Sequence, residues 1–504
     1  MEELKEYLSV EDKAKLFLEA IENIKLEKSY QKQIDKINRL LRTNIIYGNG
    51  YFSSWDLEEI LLNISKTINV DINNKYEKNS FLHIMTRTYE TGGHTRVVER
   101  WIDSSPSSEK HSLLLTEQEI NDIPKRLNSA VMSKNGNLIS LSDIKDFCEK
   151  SKTMRKIASN YEIIILHVHM HDIIPVLAFG VCEFKRPIIF YNHADHLFWI
   201  GGSIADVVAE LREWGQDISR KYRGIDRNHI ISVPSDINKC SIEYDKGSIK
   251  TELGLLLDKK IVLTMASANK YIPFDDIDFL KVAKDILENT DVVIIAIGID
   301  FNILPNWKDF AEIYNDRFII KPLIPYEDIQ KYIMVSDLYI DSMPIGGGTA
   351  VIDVIRHNIP VLSLKTPISQ FDYLIKTHSF CNDFVDILEK VNIFLNNKVK
   401  CCDLVKELQY NLLSINGINN WQNNLHFLYN RCFNKQHNVY CFKSNICKDD
   451  KLNRQINEVY KEHVKCKVIN LFLFKVYKIS NVLARTFEIE IFNLKIMSIR
   501  FKKY

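Results

Sequence analysis

The stretch KPLIPYEDIQKYIMVSDLYIDSMPIGGGTAVIDVIRHNIPVLSL, from Lys321 to Leu364, constrains the fold of this chain more than any other. The short apolar run from Leu338 to Asp341 predicts a strand that leads into a loop with three consecutive glycines, Gly346, Gly347 and Gly348. Thr349 then opens a helical pattern, and Pro360 begins another apolar strand. Strand, glycine loop, helix and strand make one βαβ unit, with the glycines where the helix N-terminus points outward. Bare backbone there can approach a phosphate closely, and the unpaired N–H groups and the helix dipole favour negative charge. Asp353, one turn into the helix, is placed to accept hydrogen bonds from a ribose or sugar hydroxyl. A glycine-rich turn with Asp353 as a solvated helix carboxylate is the alternative.

The same alternation extends in both directions. From about Ser80, strand and helix patterns follow one another: FLHIMTRTY, then the RVVERWI helix with Val97, Val98, Trp101 and Ile102 on one face, then the continuous apolar strand YEIIILHV. A helix from Ile173 to Cys182, a strand PIIFYN, a helix near Ile204 to Trp214 and a strand HIISVPS complete this run. After a polar stretch from Asn238 to Lys250 it restarts with KIVLTM, a helix from Asp275, DVVIIAIGI and RFIIKPL. Two runs of βα units with a polar break predict two doubly wound domains. Residues 1–78 have helical spacing and form an N-terminal helical segment. The first Rossmann-like domain is expected at 79–245, the second at 246–430, and an extension at 431–504.

The phrase SDLYIDSMPIGGGTAVIDVIRHNIPVL resembles the donor-binding segment of GT-B glycosyltransferases, and its pattern is nearest to the O-GlcNAc-transferase-like and bacterial adhesin-modifying cytoplasmic enzymes. Ile345, Gly346, Gly347, Gly348, Thr349 and Asp353 match that pattern. The retaining families that resemble glycogen synthase place a Glu eight residues before the helix carboxylate, where this chain has Ile345. The resemblance, which covers about residues 80–430, implies an α/β chain of GT-B architecture with two Rossmann-like domains facing a cleft. It also implies transfer of a sugar (hexosyl or N-acetylhexosaminyl) from a nucleotide donor, UDP-linked by expectation, to a glycan, lipid-linked or protein acceptor. The missing Glu favours inversion.

Under that resemblance, Gly92 and Gly93 in TYETGGHTRVVERW form the loop beneath the donor phosphates, and His94 stands at the start of the next helix. A helix N-terminus lowers a histidine pKa, so His94 is a candidate base near pH 7, with a helix-capping role as the alternative. GT-B families carry a histidine at the position resembling His193, which touches the donor sugar or its phosphate. Asp195 and His196, in the same segment YNHADHLFW, are then acceptor-side groups or alternative bases. Lys270 follows the KIVLTM strand, as in the O-GlcNAc-transferase-like enzymes, where its charge balances the departing diphosphate. No divalent cation or other cofactor is then required. Asp275, Asp276 and Asp278 superficially resemble a DxD motif, but their place at an expected helix start favours dipole complementarity. His167, His169 and His171 alternate along one strand face, yet one strand rarely supplies three ligands to one ion, so no metal site is expected.

Composition narrows the remaining classes. The chain has 504 residues, with 66 Lys and Arg against 65 Asp and Glu, so nothing global points to nucleic acid. No apolar run approaches the roughly 18 residues that cross a bilayer, and the charged start MEELKEYLSVEDKAK is unlike a signal peptide. The ten cysteines contain no CxxC pair, which agrees with reduced cytoplasmic thiols; the resemblance implies a bacterial enzyme of polysaccharide or glycoprotein biosynthesis. From Lys467 onward the tail is basic and apolar, and peripheral contact with an anionic membrane and packing against the body are both open. The oligomeric state is left open by the sequence. A same-fold sugar-nucleotide 2-epimerase and a non-catalytic GT-B-like partner protein are the alternatives; Lys270 and Asp353, whose loss would favour the latter, are both present.

Overall fold

The computed structural model describes residues 9–72, 75–90, 93–235, 245–369, 371–433, 436–460, 464–471, 474–481, 484–491 and 494–502. The first seven strands are β1 (Ser80–Met85), β2 (Lys110–Leu115), β3 (Leu138–Ser140), β4 (Ile163–His167), β5 (Ile188–Asn192), β6 (Val207–Glu210) and β7 (Asn228–Ile230). They form one sheet in the order β3-β2-β1-β4-β5-β6-β7, and every neighbouring pair is parallel. A second parallel sheet runs β10-β9-β8-β11-β12-β13. Its strands are β8 (Lys260–Met265), β9 (Val292–Ile297), β10 (Phe318–Lys321), β11 (Leu338–Ile340), β12 (Val361–Leu364) and β13 (Phe380–Cys381). Strand order reverses between β1 and β4 in one sheet and between β8 and β11 in the other. Loops at the carboxyl ends of those strands therefore splay apart and leave a crevice, the usual ligand position in an open α/β sheet.

Two expected helices differ in the structure. The Ile204–Trp214 segment contains β6, because the VVAE run is buried on both faces and its β-branched residues suit the interior of a parallel sheet. The helix expected from Asp275 starts instead at Phe279, with the Asp278 carboxylate accepting from the Leu280 amide. Asp275 sits in a tight turn at φ +49°, and Phe274 and Ile277 pair backbone to backbone across it.

The chain ends return to the first sheet. Helices Val10–Lys25, Tyr30–Leu40 and Trp55–Ser65 bury Phe17, Ile34, Leu57 and Leu61 against the face that carries Leu82, Ile84, Leu114 and Ile164. The described part of residues 1–78 thus supplies core to the first domain. The Ile418–Phe433 helix crosses back from the second domain: Trp421 Nε1 donates to Ser104 Oγ (3.1 Å), and Trp101 Nε1 donates to Tyr429 Oη (2.8 Å). Beyond it His437 meets Asp206 at 2.8 Å, and the Asp450–Tyr460 helix reaches both domains, with Gln455 donating to the Pro344 carbonyl (3.0 Å). Only the last part of the expected extension stands as a separate unit, an antiparallel meander of β14 (Val464–Leu471), β15 (Phe474–Asn481), β16 (Ala484–Ile491) and β17 (Leu494–Lys502). No helix among the described residues is long and apolar enough to cross a membrane.

Glu58 ties the helical segment to the sheet. Its buried carboxylate accepts from the Gly201, Gly202 and Ser203 amides at 2.8, 3.1 and 2.7 Å. Glu58→Ala strands three buried donors, so urea unfolding is expected to show a loss of about 3 kcal/mol or more. A loss below about 1 kcal/mol, within the range of surface substitutions, would show that the loop finds other partners.

Candidate active site

The two glycine loops meet across the crevice. The Gly93–Ser104 helix starts just after β1, and a Cβ built on Gly93 would stand 2.7 Å from Thr349 Oγ1. Only a residue without a side chain permits this approach of the domains. Gly92 lies outside the described residues. On the opposite side Thr349 follows Gly348, the first residue of the Gly348–Arg356 helix, whose N-cap is Gly347 and which has no side-chain cap. The first amides of such a helix have no partners within it and are available as donors to an anion.

The loop before this helix is held from below. The Asp341 carboxylate, at the end of β11, accepts from the Gly347 amide (2.8 Å), the Ser342 amide (2.9 Å) and Ser363 Oγ (3.1 Å). Burial raises its pKa to about 6, against the lowering pull of these hydrogen bonds and of Lys270. The Gly346 amide donates to Ser369 Oγ. Lys270 lies in the short Ala268–Tyr271 turn after β8, and its Nζ donates to the Gly346 carbonyl at 2.9 Å. Burial lowers the Lys270 pKa, and Asp341 partly restores it. The expected donor-side residues Lys270, Gly346, Gly347, Gly348 and Thr349 are therefore contiguous.

Asp353 lies at the junction of the two domains. Its carboxylate takes Arg100 Nη2 from the first domain at 2.7 Å, Arg356 Nη1 at 3.3 Å and the Tyr326 hydroxyl at 3.2 Å. Against the burial that would raise it, Arg100, Arg96 and Arg356 hold its pKa down. A carboxylate with these donors is a clasp between domains.

The first domain contributes a histidine pair. His94 donates from Nε2 to the His167 carbonyl (2.8 Å), which leaves Nδ1 as the lone-pair nitrogen of its neutral ring. The His193 ring stacks on it with centroids 4.0 Å apart and planes 21° apart, and His169 lies at 5.7 Å. Burial, then the proximity of His193 and His169, puts the His94 pKa well below the ordinary value. Burial and His169 similarly lower His193 to about 3. Asp195 lies apart from this pair in role: both its oxygens pair with Arg212, at 2.6 and 2.9 Å, and His196 Nδ1 is at 3.4 Å. Burial alone would raise Asp195, but Arg212 holds it well below the carboxylate range, and that counts against it as a base. Arg212 also donates to the Ile368 carbonyl of the second domain (2.8 Å), so this pair too is part of the domain junction. Burial lowers the His196 pKa despite Asp195. His169 and His171 follow β4, and among the described residues no three His, Cys, Asp or Glu side chains are arranged to hold a metal ion.

No family model matches this chain, and no curated protein does. Solved structures match it in fold. Anabaena HepE, solved with UDP and glucose, is 11% identical over 70% of this chain and 99% of its own, with a TM-score of 0.54. A glycosyltransferase from Rickettsia africae is 11% identical over 72% of this chain and 100% of its own, at 0.55. Sucrose-phosphate synthase from Thermosynechococcus elongatus is 12% identical over 70% and 99%, at 0.50. These are GT-B enzymes, and this chain has the GT-B fold, two Rossmann-like domains about a cleft.

Two outcomes follow from the site geometry. Asp353→Ala leaves Arg100 and Arg356 without their buried acceptor, so the expected loss is about 3 kcal/mol in urea unfolding; an unchanged midpoint would return Asp353 to a ligand role. His193 is neutral when folded at about 3 but takes a proton near 6.5 when unfolded. The unfolded state thus binds the extra proton, and the contribution of His193 to stability is present above pH 6.5 and lost as pH falls towards 3. The stability gap between wild type and His193→Phe should shift by about 2 kcal/mol between pH 7 and pH 5, in the direction that favours the variant at low pH. A pH-independent gap would mean that the ring takes up its proton as readily in the folded protein as in the unfolded chain.

Proposed function

We propose that this chain is a glycosyltransferase that moves a sugar from a nucleotide donor, UDP-linked, to an acceptor hydroxyl or amide of a glycan, lipid-linked saccharide or protein. The observation that carries this reading is the junction of Gly93 and His94 with the Gly348 helix start and Lys270 in one cleft. Anion-binding backbone, a buried cation and a neutral imidazole stand together there, which is what departure of a diphosphate and deprotonation of an acceptor require. The structures of HepE with UDP and with UDP-glucose support the donor class.

In this reading His94 Nδ1 takes the acceptor proton as the acceptor atom bonds to the anomeric carbon. The bond from that carbon to the diphosphate oxygen breaks, and the electron pair leaves with the diphosphate. Lys270 and the free amides at the start of the Gly348–Arg356 helix meet the developing charge. One displacement of this kind inverts the anomeric configuration. The reaction needs no divalent ion, because lysine and helix dipole occupy that role.

Incubation with a panel of nucleotide sugars tests the class: nucleoside diphosphate should be released, fastest from a UDP-sugar. Lys270→Ala should lower kcat by about two to three orders of magnitude, the scale of one preorganised electrostatic contact. Wild-type turnover should survive EDTA. Release of an epimerised sugar nucleotide without net transfer would replace the proposal with the 2-epimerase reading, and strict Mg²⁺ dependence would remove the electrostatic account.

A further inference from the structure

A line of histidines crosses the first sheet, and the reaction above uses only its far end. His111 on β2, His83 on β1 and His167 on β4 are all fully buried. In register Phe81 faces His111, His83 faces Leu113 and Ile165, and Met85 faces His167. The three histidines therefore share one face and step diagonally across adjacent strands, within reach of aromatic-sized rings. His111 Nε2 lies 3.1 Å from Glu109 Oε2, His111 Nδ1 lies 2.9 Å from His83 Nε2, and His83 Nδ1 lies 3.0 Å from His167 Nε2. Five of the six ring nitrogens are thus hydrogen-bonded. The sixth, His167 Nδ1, is buried with no protein partner among the described residues.

The ends of the line differ. Glu109 is partly open to solvent, with a side-chain exposure of 18%. His167 belongs to the site: its carbonyl accepts from His94, and His94 and His193 both lie close enough to depress its protonation. The groups that face the line are identifiable. Ser105, the Lys134 ammonium and the Tyr429 phenol face Glu109, and the Phe81 ring stacks on His111 at 4.8 Å. Trp101 meets His83 and His167 edge-on, and Tyr191 lies against His167.

Hydrogen-bond polarity in such a line is all or none. With Glu109 ionised, it accepts from His111 Nε2–H, each ring then carries its proton on Nε2, and His167 Nδ1 presents a lone pair. With Glu109 protonated, it donates to His111 Nε2, each ring carries its proton on Nδ1, and His167 Nδ1–H is a donor. The second state converts to the first by four shifts. Glu109 gives its proton to His111 Nε2, His111 Nδ1 gives to His83 Nε2, His83 Nδ1 gives to His167 Nε2, and His167 Nδ1 releases one. The protein loses one proton, and no imidazolium is held in either state, which matters in a site where burial makes a charged ring costly. Run in reverse, a proton taken up at His167 Nδ1 ends on Glu109.

We propose that Glu109, His111, His83 and His167 form a proton relay through the first sheet, from the partly open Glu109 carboxyl to His167 Nδ1 beside the His94–His193 pair. Its use in the reaction, taking up a proton at the site end as Glu109 becomes protonated, rests on the glycosyl-transfer reading; the relay itself does not.

The test needs no substrate. Long-range ¹H–¹⁵N spectra of histidine-labelled protein report which ring nitrogen is pyridine-type. As pH rises, that nitrogen should change from Nε2 to Nδ1 in His111, His83 and His167 together, with one midpoint near the Glu109 value of about 7. In Glu109→Gln all three should stay fixed across the range. In His83→Phe, His111 should still respond while His167 does not. Separate titration of each ring to imidazolium, or a wild-type response that persists in Glu109→Gln, would overturn the relay and leave a static hydrogen-bonded ladder. Should His83→Phe fail to fold, wild type and Glu109→Gln still decide the matter. A protein that shows the joint switch yet releases nucleoside diphosphate from no nucleotide sugar would keep the relay and lose the glycosyl-transfer reading.

Discussion

The contact of Gly93 with Thr349 sets the geometry of the rest. Two Rossmann-like domains can bring a helix start from one and a glycine loop from the other to the same few ångströms only if one partner has no side chain. Charge then secures what sterics allow. Arg100 crosses to Asp353, and Arg212 holds Asp195 on its own side while donating to the Ile368 carbonyl on the other. Both are partly or wholly buried pairs, whose worth lies less in net stability than in specifying one arrangement of the domains. Lys270 and Asp341 settle beneath the glycines, each holding the loop by a hydrogen bond to its backbone.

The desolvated surroundings decide the chemistry of each group. Asp341 is buried with hydrogen-bond donors and rises to about 6, whereas Asp195 and Asp353 are buried with arginines and fall. The histidines have no such counter-ion next to them, so burial keeps them neutral. Three carboxylates and a set of imidazoles thereby acquire different behaviour from one cause with different neighbours.

The doubly wound architecture was legible because strand patterning is local: KIVLTM and YEIIILHV are apolar throughout, and the glycines interrupt the pattern at strand ends. The proximity of Lys270 to the triple glycine was legible through family pattern. What could not be read was partnership across the cleft. Asp353 has the same sequence neighbours whether it meets a ribose or Arg100, and Arg100 is 253 residues away in the chain. VVAE at Val207–Glu210 was read as helix because its run is too short for periodicity to decide. His83 and His111 were overlooked altogether, although a histidine inside the apolar runs FLHIM and KHSLLL is itself a signal of a buried polar group in need of a partner.

The path of the C-terminal segment has a consequence for biosynthesis. Trp421 and Tyr429 complete the packing around Trp101, and His437 meets Asp206 deep in the first domain. On the ribosome these residues emerge nearly two hundred residues after β7, when the second sheet has already been made. The domain encoded first must therefore wait, incompletely buried, while the domain encoded second can close on its own strands. Vectorial synthesis thus makes the first domain before the residues that finish its packing, and apolar surface around Trp101 stays uncovered until they emerge.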